Sequence, residues 1–125
     1  MNKEEKDLLM RDLCARLPYH VRVKVWLEDG DTEEGPLDLQ HNYGDVLLDA
    51  FYYNKITKIK PYLRPMSSMT EEEDMHRCAF LDDIEGGVEE VIPNYIDFLN
   101  EHHFDYNGLI PMGLAIEAPE GMYNL

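Results

Sequence analysis

Hydrophobic positions recur along the chain with two different periods. Leu9, Leu13 and Leu17, with Met10 and Cys14, lie on one stripe at helical spacing. Asn2 and Glu5 ahead of them have the side-chain types of a helix N-cap and its third-position partner, and Pro18 restricts the residue before it. The pattern predicts a helix from 2 to 17. Asp7 with Arg11, and Asp12 with Arg16, place an acid four residues before a base, as expected of exposed helix pairs. From 20 to 27 the period becomes two: Val21, Val23, Val25 and Leu27 share one face, and His20, Arg22, Lys24 and Trp26 the other. That alternation predicts a half-buried strand.

Punctuation follows. Residues 28–36, EDGDTEEGP, read as a turn-rich loop with Asp29-Gly30 suited to positive φ. Residues 37–39 read as a short strand, 41–44 as a turn, and 45–53, DVLLDAFYY, as the strongest second strand. Residues 54–59 fit either a turn leading into a strand or a single helical turn. KPYLRP at 60–65 must be extended, because each proline biases its predecessor away from helix, and two prolines assign it to a sheet edge.

Helical signals dominate the second half. Ser68 with Glu71, and Thr70 with Glu73, both have capping-box spacing, and the acids at 71–74 sit where a helix dipole favours negative charge. A helix from 70 to 84 follows, with Met75, Cys78, Ala79, Phe80 and Leu81 as a broad apolar set and Gly86-Gly87 as its stop. Another is predicted from Ile92 to about His103, with Pro93 at its first position and Ile92, Tyr95, Ile96 and Leu99 at helical spacing. Asp105 is placed to cap one more turn through Ile110, Gly113 to stop it, and 114–117 reads as a short strand. These elements predict an α+β fold: an N-terminal helix, a small bent antiparallel sheet of SH3-like barrel size, and a helical C-terminal half.

The chain's 125 residues are enough for one respectable core, so a single compact domain is expected, with sub-regions 1–65 and 66–125. No apolar run reaches the length of a membrane span, and MNKEEKDLLMRD is too polar for a secretory signal, which points to the cytoplasm. Cys14 and Cys78 are expected to be reduced, buried small hydrophobes.

Charge divides the sequence. Residues 1–65 carry 12 acids and 10 bases, whereas 66–125 carry 14 acids and the single base Arg77. Such a half repels phosphate backbones and anionic membranes. Within the first half, 28–49 holds eight acids and no base, and 50–65 holds Lys55, Lys58, Lys60 and Arg64 and no acid, which predicts charge pairs between adjacent strands.

Candidate chemistry is sparse. His102, His103 and Asp105 are the nearest approach to a metal cluster, but adjacent histidines on a helix point about 100° apart, and Asp105 has an alternative role as a cap. His76 and Cys78 stand two apart, on different sides of a helix, and His20 and His41 belong to the sheet region. Asp82-Asp83 with Glu85 lacks the ligand pattern of a calcium loop. No G-x-S-x-G, H-E-x-x-H or G-x-G-x-x-G occurs. Trp26, Tyr52, Tyr53 and Tyr62 offer the sheet an aromatic surface. Trp26 either packs beneath the N-terminal helix, the favoured expectation, or forms a platform for a peptide or single strand with Arg22, Lys24, Tyr62 and Arg64.

Three blocks, DLLMRDLCARLPY at 7–19, IKPYLRPMSSMTEEE at 59–73 and FLNEHHFDYNGLIPMGLAIEAPEGMY at 98–123, resemble a group of short uncharacterised proteins of gut Bacteroidales and their phages or mobile elements. The resemblance covers somewhat less than half of the chain and does not extend across 28–45 or 75–97. It implies a cytoplasmic accessory role in a bacterial or phage context and supplies no cofactor or catalytic residue.

The leading expectation is a non-enzymatic interaction module whose acidic half meets a partner with a basic surface, in its sharpest form a phage-derived imitation of nucleic-acid charge. The competing class is a small enzyme or metal-binding protein using His102, His103 and Asp105. A third reading is nucleic-acid binding through Arg22, Lys24, Lys55, Lys58, Lys60 and Arg64, which the net charge of −15 disfavours. No cofactor and no membrane contact are expected.

Overall fold

The computed structural model describes residues 2–37, 56–82 and 88–123. It contains α1 (Lys3–Arg16), a 3-10 turn (Leu17–Tyr19), β1 (Arg22–Leu27), β2 (Thr32–Pro36), β3 (Ile56–Leu63), a second 3-10 turn (Met66–Ser68), α2 (Glu71–Asp82), α3 (Val88–Glu101) and β4 (Ile116–Glu117). The fold is α+β, with an N-terminal helix and a four-stranded sheet in the order β2-β1-β3-β4. β1 pairs antiparallel with β2 and β3, but β3 pairs parallel with β4, so the sheet is mixed rather than purely antiparallel.

α1 begins as its sequence requires, with the Asn2 side chain accepting the Glu5 N–H at 2.8 Å. Its buried face differs from the expected leucine stripe. Leu9, Asp12, Leu13 and Arg16 are the buried residues, so the helix is turned to submerge an ion pair that the spacing alone places on the surface. This rotation also leaves Cys14 exposed, and Cys78 is exposed on α2, which corrects the expectation of two buried thiols.

The valine face of β1 packs against α1 as its alternation predicts. Leu9, Leu13, Val21, Val23, Val25, Leu37, Ile59, Leu63, Leu109, Leu114 and Ala115 form one cluster, joining both ends of the chain over one face of the sheet. Burying each such leucine stabilises the fold by about 1.5–3 kcal/mol relative to exposure. A second cluster of Phe98, Leu99 and Phe104, with Met69, Tyr95, Ile96 and Tyr106 against it, lies where α3 ends.

Three predicted elements are corrected. Only 28–31 of the expected acidic loop is a turn, with Gly30 at φ 92 and its N–H bonded to the Leu27 carbonyl. Residues 32–36 are the edge strand β2, whose charged, mostly exposed positions read as loop because they face water. KPYLRP is not at an edge: β3 lies between β1 and β4, and Pro61 is accommodated because the short β4 pairs only with Tyr62 and Leu63. α3 starts at Val88 rather than Ile92, leaving Pro93 inside the helix at an exposed position. The predicted strand at 45–53, the turn at 41–44, the Gly86-Gly87 stop and most of the 37–39 strand lie outside the described residues. Among the described residues no helix is long and apolar enough to cross a membrane.

Candidate functional site

The start of α2 is fixed by a capping box. The Thr70 hydroxyl accepts the Glu73 N–H at 3.2 Å, and the Glu73 carboxylate accepts the Thr70 N–H at 2.9 Å. The same carboxylate receives both terminal nitrogens of Arg64, each at 2.7 Å. These Arg64 bonds hold the Glu73 carboxyl down at about 2, against a smaller opposing effect of burial. Arg64 also donates to the Ser68 carbonyl at 3.1 Å and lies over the Phe104 ring, 4.3 Å from its centroid. Arg64 is therefore occupied where β3 meets α2 and the end of α3, away from the sheet surface with which the sequence grouped it.

With Glu73 turned inward, the rest of the first turn faces water. Glu71, Glu72 and Asp74 are exposed, and so are Met75, Cys78 and Ala79 further along α2. Met75 is 73% exposed, the most of any large hydrophobic side chain among the described residues. Beside this face, a cleft of about 480 Å³ between the Met66–Ser68 turn and α2 is lined by Met66, Met69, Glu71, Asp74 and Arg77. Arg77 pairs with Asp74 at 2.8 Å, both partly exposed.

The outer face of the sheet gathers the other predicted residues. Strand alternation places Arg22, Lys24 and Trp26 of β1 beside Lys58, Lys60 and Tyr62 of β3, with Lys24 opposite Lys60 and Trp26 opposite Lys58. The Trp26 ring has Lys24 Nζ at 5.3 Å and Lys58 Nζ at 5.2 Å from its centroid. Trp26 is thus across the sheet from Leu9 and Leu13 and does not pack beneath α1, because Val25 and Leu27 occupy the alternate positions that face the helix. The expected exchange of charge between the acidic and basic segments is also altered, since β1 separates β2 from β3. Lys24 of β1 approaches Glu34 at 3.8 Å, and from β3 the Tyr62 hydroxyl reaches Glu34 at 2.6 Å. Burial, then that bond to Glu34, pushes the Tyr62 phenol up to about 12. Lys55, Tyr52, Tyr53 and His41 lie outside the described residues, as do the side chains of Asp82, Asp83 and Glu85.

His102, His103 and Asp105 point three ways. α3 ends in a Schellman motif: Phe104 N–H bonds the Leu99 carbonyl at 2.9 Å and His103 N–H bonds the Asn100 carbonyl at 3.1 Å. The motif puts His103 at φ 63, the left-handed position that glycine usually fills. His102 Nδ1 approaches Glu73 Oε2 at 3.0 Å, and its ring lies 4.6 Å from that of Phe98. The His103 ring instead stacks on Tyr123, centroids 3.8 Å apart. Asp105 accepts the N–H groups of Leu109 and Ile110 at 2.8 and 2.9 Å, capping a hydrogen-bonded turn where one more helical turn was predicted. Among the described residues no three histidine, cysteine, aspartate or glutamate side chains converge as a metal requires. His76 and Cys78 are both exposed, the His76 ring lying 6.2 Å from that of Phe98.

Tyr123 is the residue that sequence reading missed, because it falls in what reads as a tail. Its hydroxyl accepts the Arg22 N–H at 2.9 Å and donates to the Tyr62 carbonyl at 2.7 Å, one step beyond the Val23 and Pro61 pair of the β1–β3 ladder. Burial pushes this phenol up to about 12. The chain matches no protein-family model, no curated protein and no solved structure.

Proposed function

We propose that the protein is a non-enzymatic interaction module of a bacterial or phage cytoplasm, and that the exposed face of α2 receives a basic segment of a partner protein. The observation that carries this reading is Met75, 73% exposed, on the helix that also presents Glu71, Glu72 and Asp74 to water. Methionine is flexible and polarisable, and lysine or arginine stems lie on such surfaces while their charged heads reach neighbouring carboxylates. The cleft lined by Met66 and Met69 extends the same chemistry beyond the helix. Long-range attraction from the acidic half raises the association rate more than the affinity. Arg77 competes only weakly for Asp74, because both side chains of the pair are exposed and water and salt screen their attraction.

The test is capture of partners from native lysate by the wild-type protein and by the double variant E71K/E72K, at low and high salt. Partners recovered at low salt and lost both at high salt and with the variant support the reading. Capture indifferent to salt and to the substitutions, or no capture, contradicts it.

A second reading has its own support in the Lys24 and Lys58 ammonium groups gathered at the Trp26 ring, a combination of cation and aromatic that single-strand-binding surfaces use. Mobility shifts with single-stranded DNA or RNA at low salt, abolished by Trp26→Ala, separate it from the first.

A further inference from the structure

Three of the chain's five histidines, His20 and the adjacent His102 and His103, meet in one cavity. His20 follows the turn after α1, and His102 and His103 follow α3. With Arg22, Glu101 and Tyr123 they line a space of about 400 Å³.

Backbone conformation marks the place. Among the described residues, His20 at φ 55 and His103 at φ 63 are the non-glycine residues with positive φ, and both line this cavity. A side chain in the left-handed region is strained where glycine is not. At His103 the Schellman motif would be satisfied by glycine, so the motif does not itself call for the imidazole, whose ring stacks on Tyr123. Strained residues of this kind gather at binding sites, where the surrounding structure over-determines them.

Charge marks it a second time. On a chain of net −15, the Arg22 guanidinium forms no ion pair among the described residues. His103 is 7% exposed and its Nδ1 is buried without a hydrogen-bond partner. Burial, followed by the charges of Arg16, His102 and Arg64, pushes this imidazole down to about 4, so it is neutral at pH 7 in cationic surroundings. A neutral ring donor beside an unpaired guanidinium suits an anion with lone pairs in several directions. Glu101 is the one carboxylate of the lining, and it is exposed to screening by water.

We propose that this cavity binds the oxyanion group, phosphate or carboxylate, of a small molecule, with Arg22 pairing with its charge and the His103 ring donating a hydrogen bond to one of its oxygens. The cavity shares no lining residue with the exposed face of α2, whose Glu73 meets His102 from the buried side, so its occupancy and the docking of a basic partner succeed or fail separately. The test is titration of the isotope-labelled protein with inorganic phosphate and, separately, with acetate, at ionic strength held constant with chloride, following the imidazole resonances. Saturable shifts of His103 and its neighbours are expected with one of the two anions, and the stronger of the pair distinguishes a phosphate from a carboxylate ligand. Arg22→Gln removes only the side chain and keeps the backbone N–H that Tyr123 accepts, so it is expected to fold and to bind at least about tenfold more weakly. Glu101→Gln is expected to bind more tightly, an outcome a purely structural role for the cavity does not produce. Shifts that never saturate, or an affinity unchanged by Arg22→Gln in a folded variant, would overturn the proposal.

Discussion

Arg16 and Asp12 stand one turn apart on α1, wholly buried and joined by two hydrogen bonds of 2.7 and 3.1 Å. The pair also holds the far end of the chain. Arg16 donates to the Phe104 carbonyl, and Asp12 accepts the Asn107 amide at 2.9 Å. The net contribution of such a pair to stability is small, because desolvation offsets most of its attraction. Removing one partner is another matter. Arg16→Met leaves Asp12 buried without its counter-charge and is expected to lose about 3–5 kcal/mol in urea unfolding, whereas D12L/R16M is expected to recover much of that loss.

Glu73 and His103 set separate pH windows. The Glu73 carboxyl lies at about 2 in the fold, below its ordinary 4.5, so its contribution is present above 4.5 and is lost as pH falls toward 2. His103 lies at about 4, below its ordinary 6.5, so the unfolded chain takes up the proton first and stability falls between 6.5 and 4. Urea titrations across pH are expected to show both declines, the second on the order of 3 kcal/mol. Glu73→Gln is expected to flatten the lower window and His103→Asn the upper one.

The Tyr123 hydroxyl is the only bridge between Arg22 N–H and Tyr62 C=O among the described residues. Tyr123→Phe keeps the ring stacked on His103 and removes the bridge. An expected loss of about 1–3 kcal/mol, read by thermal or urea unfolding, would measure what those two backbone groups forfeit when left unpaired.

How far the sequence reveals this structure depends on whether one period governs a segment. α1 and β1 are legible because leucines and valines recur with a single spacing, and Thr70 with Glu73 marks the start of α2 because the capping box is local. β2 is hidden, since Thr32, Glu33 and Glu34 are exposed and an edge strand facing water has no apolar face to show. Asp12 and Arg16 read as a surface pair because nothing in the spacing tells which side of a helix the second half of the chain will cover. The same limit applies to the histidines. His20 and His102 share a cavity only because β1 and α3 come together in the fold, and Tyr123 joins them through a residue whose local sequence signals a tail. The basic and aromatic residues of β1 and β3 are legible as one face, but Arg64 leaves it, because its bidentate bond to Glu73 depends on where α2 begins.

The central claim is that the exposed face of α2 receives a basic segment, and methionine-methyl spectroscopy tests it most directly. Titration with a synthetic amphipathic peptide rich in lysine and arginine is predicted to shift the Met66 and Met75 methyl signals saturably, with an affinity that falls steeply with salt and is lost in E71K/E72K. Unmoved Met66 and Met75 signals, or the same shifts in the charge-reversed variant, would contradict it.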